Sequence, residues 1–261
     1  MAWINCLLPV TTLSLALSLQ LACIPGFLTI SRAEAQTPVM NQKSPLQWET
    51  AKYEPPLNIG APRRISGAGT RGTCLQNKTD KLITLLPENS STRTIAQYPT
   101  FFAYVPPSTA KQIRFKLTDQ SQNTVYQTTL SLSDQPGIVR VSVPAGGAVN
   151  PLEVGKPYIV SFTLVCNPDD SSGNIVAGGV IQRVEPSAVL TRELQQASPR
   201  LQSSIYAKES LWLEALSTLA QLRHDKPSDS SLTTEWITLL DTVGLGDIAQ
   251  KPLVPVVSLK V

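Results

Sequence analysis

Histidine is almost absent: His224 is the only one in 261 residues. A serine or cysteine hydrolase needs a base oriented by a third group beside its nucleophile. His224 ends a helical pattern, where a donor or cation suits the last carbonyls, and no G-x-S-x-G elbow occurs. There is no C-x-x-C, which leaves neither a zinc nor a thiol-exchange signature. Charge is sparse at 16%, with a net of +3, too little to point to nucleic acid. Carboxylates in the central segment, among them Glu88, Asp119, Asp134, Glu153, Asp169, Asp170 and Glu185, fall mostly in turn settings, and a glycosidase pair would need two in a cleft. No cofactor motif is present.

No basic residue precedes Arg32, and Met1 to Ser31 is rich in leucine. Ala33-Glu34-Ala35 supplies the small-residue cleavage pattern of a secretory signal, which makes Gln36 the first mature residue. Residues 1–35 are therefore expected to be a signal peptide. An uncleaved anchor is the alternative, opposed by Pro25-Gly26, which interrupts a continuous spanning helix. A lipoprotein reading would use Cys23, but Gln20-Leu21-Ala22 lacks the aliphatic residue wanted three places before it. The expectation is a periplasmic or extracellular protein with no stable membrane span after cleavage.

Of four cysteines, Cys6 and Cys23 lie in the signal and Cys74 and Cys166 remain. In an exported chain the simplest outcome is that these two pair.

What the sequence has in abundance is proline, 21 residues. Pro38, Pro45, Pro55, Pro56 and Pro62 mark residues 36–62 as an extended linker, with Trp48 and Tyr53 as candidates to dock on the neighbouring domain. Residues 63–185 read as β. Ile113, Phe115 and Leu117 alternate with Gln112, Arg114 and Lys116, giving one buried and one wet face. Tyr126 to Leu132, Val139 to Val143, Tyr158 to Cys166 and Val176 to Val184 repeat the pattern, separated by turn-rich segments. Gly178-Gly179 marks a bulge or a close contact. Cys166 falls in phase with Tyr158, Val160, Phe162 and Leu164, so its sulfur is expected to face the core. Spacing of this kind predicts an antiparallel β-sandwich. An immunoglobulin topology is not implied, because no tryptophan lies between the cysteines.

From Pro186 the period becomes helical, and residues 186–250 read as a small three-helix domain. Leu190, Leu194 and Ala197 form a lead-in. Ser198-Pro199 restarts a longer helix to His224, with Ile205, Trp212, Leu216 and Leu219 on one face. Leu232, Trp236, Leu239, Leu240 and Val243 mark a third helix, and Gly244 stands at its C-cap. Trp212 and Trp236 are expected in the core. Residues 251–261 read as a C-terminal tail.

Two loops invite ligand readings. Gly60 to Gly72 interleaves glycines with Arg63, Arg64 and Arg71. Glycine-rich backbone and forked guanidinium groups are the chemistry of an anion site; the plainer reading is a structured loop whose arginines pair locally. Asn167, Asp169, Asp170 and Asn174 offer oxygens for calcium, but Asn-Pro-Asp-Asp followed by Ser-Ser-Gly is first a hairpin loop.

Four blocks, Gly60–Gly72, Ile95–Pro106, Tyr206–Leu216 and Trp236–Leu240, resemble the cyanobacterial family called domain of unknown function 928. The resemblance implies an envelope or secreted protein with a two-part architecture. The family has no assigned activity, so it brings no catalytic residues.

The expectation is an α+β protein: a β-sandwich stapled by Cys74–Cys166 and followed by three helices. Its expected role is a non-enzymatic cell-envelope interaction module, binding an envelope protein or polysaccharide. A glycan- or peptide-hydrolase, or an accessory factor for secretion or adhesion, is the alternative.

Overall fold

The strand Thr100–Val105 carries Phe101 and Phe102 in succession, and both are buried. Successive strand residues point to opposite faces, so this strand must be covered on both sides. The computed structural model, which describes residues 53–54, 65–66, 74–77, 79–88, 92–147 and 149–259, shows how. The strands are β1 (Ile65–Ser66), β2 (Ile83–Thr84), β3 (Thr92–Thr94), β4 (Thr100–Val105), β5 (Gln112–Asp119), β6 (Thr124–Ser131), β7 (Gly137–Ser142), β8 (Pro157–Val165), β9 (Ile175–Arg183) and β10 (Val257–Leu259). The helices are α1 (Ala188–Gln196), α2 (Pro199–Lys208), α3 (Trp212–Asp225), α4 (Ser230–Asp241) and α5 (Gly246–Ala249). The protein is α+β.

The strands form a larger sheet in the order β1-β9-β8-β5-β6-β10, with β3 also pairing β9, and a smaller sheet β2-β4-β7. Phe101 of the small sheet meets Phe115 of β5, ring centroids 5.2 Å apart. Phe102, on the other face, meets Trp236 of α4 edge-on at 6.3 Å. The small sheet is thus covered by the large sheet on one side and by helix on the other. One hydrophobic cluster runs from Ile113 and Phe162 through Phe101 to Trp212 and Leu240.

Gly178 and Gly179 mark a close contact, not a bulge. The β8–β9 register runs through them without a shift. A side chain on Gly178 would come 2.2 Å from the Val160 carbonyl oxygen, and one on Gly179 would come 2.7 Å from Leu86. The Thr84 hydroxyl donates to the Gly178 carbonyl at 3.3 Å. The missing side chain of Gly179 lets Leu86, just after β2, pass close over β9, and that of Gly178 lets the β8 backbone lie close beside it.

Among the described residues five α-helices stand where three are expected. Ser198 and Pro199 open α2 as anticipated, the serine accepting from the Leu201 N–H. The longer helix to His224 is broken at Ser210, which has φ 60°. Ile205 therefore does not share a face with Trp212: it packs with Leu190 and Leu211 in a separate cluster. The break is braced from the N-terminal side, because the Ser210 hydroxyl donates to the Glu54 carbonyl and the Glu54 N–H donates to the Ala207 carbonyl at 3.4 Å. Tyr53, one residue earlier, is buried against Trp212. Trp48 and the rest of the segment 36–52 lie outside the described residues, as does the whole of 1–35. Gly244 follows α4 with φ 73°, the left-handed turn anticipated there.

The C-terminal residues are paired as far as Leu259. Ile138 of β7 donates to the Pro252 carbonyl at 2.7 Å and accepts from Val254 at 2.9 Å. Beyond this, β10 lies antiparallel to β6. The final segment thus closes an edge of each sheet in turn.

Candidate functional site

Cys74 and Cys166 are joined by a disulfide, with Cα atoms 5.2 Å apart. Cys74 is buried and Cys166 half-buried, packed against the main cluster. The bond ties the segment before β2 to the end of β8. Arg63, Arg64 and Arg71 lie outside the described residues. Three side-chain oxygens of the Asn167–Asn174 loop serve nearby backbone: Asn167 Oδ1 accepts from the Asp169 N–H, Asp170 Oδ1 from the Ser172 N–H and Asn174 Oδ1 from the Cys166 N–H, at 2.9–3.1 Å. Among the described residues no group of three or more His, Cys, Asp or Glu is placed to hold a metal.

Register reveals a surface that sequence reading did not single out. Gln112, Arg114, Lys116 and Thr118 lie on the face of β5 opposite Phe115. Arg114 stands between Thr129 of β6 and Thr163 of β8, and Lys116 between Gln127 and Ser161. Val176, Val180 and Gln182 of β9 continue this face through Thr163, Ile159 and Pro157. Arg114 and Gln127 are exposed on it, Gln112, Lys116, Thr129, Ser161 and Thr163 are half-buried, and Thr118 is buried. It is rich in hydroxyl and amide groups and bears no carboxylate at these positions. Among the described residues neither Arg114 nor Lys116 finds an ion pair or a side-chain hydrogen bond. Lys111 pairs with Asp134 and Lys156 with Glu153, whereas Lys81, Lys208, Lys226 and Lys251, like Lys116, form no ion pair among the described residues. Two cations on a central strand, neutralised by no described neighbour, are suited to a polyanion.

Glu214 of α3 is the other notable charge, and it is closed off from solvent. Its Oε1 accepts from the Thr94 hydroxyl at 2.5 Å and from the N–H groups of Ile95 and Ala96 at 2.8 and 3.0 Å. Among the described residues Oε2 has no partner. Burial raises the carboxyl above the usual glutamate range, and these hydrogen bonds oppose the rise. The group ties the β3–β4 loop to α3. A folded-state pKa above the unfolded one contributes stability that is present below the unfolded value, near 4.3, and is lost as pH rises through the folded value. Glu214→Gln, which keeps an acceptor for the loop, is expected to abolish that loss: urea midpoints across a pH series should fall for the wild type relative to the variant as pH rises. Glu214→Leu leaves the Thr94 hydroxyl and the Ile95 N–H without their acceptor, while the Ala96 N–H keeps the Thr94 hydroxyl at 3.1 Å, and is expected to cost about 2–3 kcal/mol at acidic pH.

The family model of the Domain of Unknown Function (DUF928) matches residues 66–253. None of the curated proteins matches the chain. Among the described residues no helix is long and apolar enough to cross a membrane.

Proposed function

The chain belongs to the DUF928 family, and on that premise we propose that it is an exported cell-envelope module that binds an anionic envelope polysaccharide, without catalysis, through the outer face of its large sheet. The two sheets are read as a β-sandwich and the helices as its covering layer. The disulfide is compatible with an oxidising compartment. The observation that carries the binding reading is the pair Arg114 and Lys116, without an ion pair or side-chain hydrogen bond among the described residues and set among hydroxyl groups on the outer face of the sheet. A protein-binding face would offer buried-type aromatic anchors; the apolar residues here, Ile159, Val176 and Val180, are small aliphatics and already half-buried. A uronate or sulfate polymer matches both the charge and the hydroxyl rows.

Retention of the purified protein on immobilised polygalacturonate tests this. Charge-assisted hydrogen bonds contribute about 1.5–3 kcal/mol each, so Arg114→Ser with Lys116→Ser is expected to weaken binding by roughly a hundredfold. Added salt should weaken the wild type also. The melting temperature should hardly move, since such surface changes stay within about 0.5 kcal/mol. Equal retention of the variant and the wild type would reject the sheet face as the binding surface.

A further inference from the structure

After α3 the chain turns through Lys226-Pro227 into α4 and leaves a concavity of about 280 Å³. Arg223, His224 and Lys226 line it together with Asp229, and Pro227 and Leu253 supply apolar wall. The Arg223 guanidinium lies over the Trp236 ring, its Cζ 4.9 Å from the centroid. Trp236 is itself fully buried and donates to the Ala249 carbonyl at 3.0 Å. Stacking on a fixed ring holds a planar cation in one orientation. Arg223 Nη1 is withdrawn from solvent and meets no acceptor among the described residues, which leaves a donor unused.

The acids nearby hydrogen-bond to neutral groups, and Asp229 brings its own negative charge to the wall of the hollow. Asp229 caps α4, its Oδ1 accepting from the Ser231 N–H at 3.0 Å and the Ser231 hydroxyl at 2.5 Å. Asp225 accepts from Gln221 at 2.8 Å. Lys226 forms no ion pair among the described residues. The hollow therefore presents a positioned guanidinium and an ammonium beside an apolar wall. We infer that it is a binding site for a small organic oxyanion, a carboxylate or a phosphate monoester, whose charged end meets Arg223 and Lys226 and whose carbon skeleton lies on Pro227 and Leu253. It uses none of the sheet-face residues and stands apart from the polysaccharide reading.

His224 is the chain's only histidine, so its Cε1–H resonance is a unique reporter within the concavity. It would be followed by NMR while the full protein is titrated with inorganic phosphate and, separately, with hexanoate, against chloride of matched ionic strength. The expected result is a saturable shift beyond the chloride control. Saturation by phosphate alone assigns a phosphate ester, by hexanoate alone a carboxylate, and by both the shared oxyanion chemistry. Lys226→Ala should weaken the midpoint about tenfold. Asp229→Asn, which keeps a good N-cap and removes a negative charge, should strengthen it several-fold. A shift that is absent, that does not saturate, or that has the same midpoint in all three proteins overturns the proposal.

Discussion

Replacing Trp212 with alanine is expected to lower the unfolding free energy by about 3–5 kcal/mol, the range for loss of a buried tryptophan. The indole is fully buried. Its Nε1 donates to the Leu85 carbonyl at 2.7 Å, and its ring receives Tyr53 edge-on at 5.0 Å. Leu85 leads directly into Leu86, which lies over Gly179 of β9. One side chain thus joins α3, the segment after β2 and the N-terminal strap. The alanine variant leaves a cavity and a carbonyl without its donor. Trp212→Phe keeps a six-membered ring but loses the N–H and part of the indole volume, so it is expected to cost less than alanine, about 1–3 kcal/mol. Urea unfolding of the three proteins measures both. Because helices and strands share one cluster, the transition should remain single and shift as a whole. A separate early transition of the helices, with the strands unaffected, would show that Trp212 does not couple them.

Cys166→Ser is expected to have an effect of similar size. The disulfide spans 92 residues, and in the chain-entropy view closing so long a loop contributes about 4–5 kcal/mol by restricting the unfolded chain. The half-bond left at Cys74 is a buried thiol, which packs as a small apolar group, so the loss should lie chiefly in the unfolded state. Reduction of the wild type should then lower its stability to that of the variant, measured by thermal melts with and without dithiothreitol. A wild type that melts at the same temperature in both conditions would remove the staple from the account.

The strands that pair one wet face with one dry face were legible in the sequence. Ile113-Phe115-Leu117 and Tyr158-Val160-Phe162-Leu164 lie in the core as their alternation requires, and the phase of Cys166 led to its disulfide. β4 escaped because Thr-Phe-Phe-Ala-Tyr-Val is buried on both faces, which removes the period-two signal. β10 escaped because a three-residue strand owes its existence to a partner more than a hundred residues away. The break at Ser210 has no glycine or proline to announce it; tertiary bonds from Glu54 hold it, and local propensity carries no trace of these. At the sites, Arg114 and Lys116 read as the ordinary wet side of a strand, and only register and the positions of the nearest acids set them apart from the paired lysines. Glu214 reads as one more charge on a helix, since its three donors come from a loop about 120 residues earlier. Arg63, Arg64 and Arg71 remain a sequence-level candidate.

The most direct measurement of the central claim is zero-length carbodiimide coupling of a short polyuronate to the native protein, followed by peptide mapping of the amide bonds formed. The reaction joins a uronate carboxyl to a lysine amine only where the two are held in contact. A polymer lying along the outer face of the large sheet predicts coupling at Lys116 well above that at Lys81, Lys208 or Lys251, suppressed by salt and by Arg114→Ser. Coupling spread evenly over the lysines, or concentrated at Lys226 with Lys116 untouched, would contradict it.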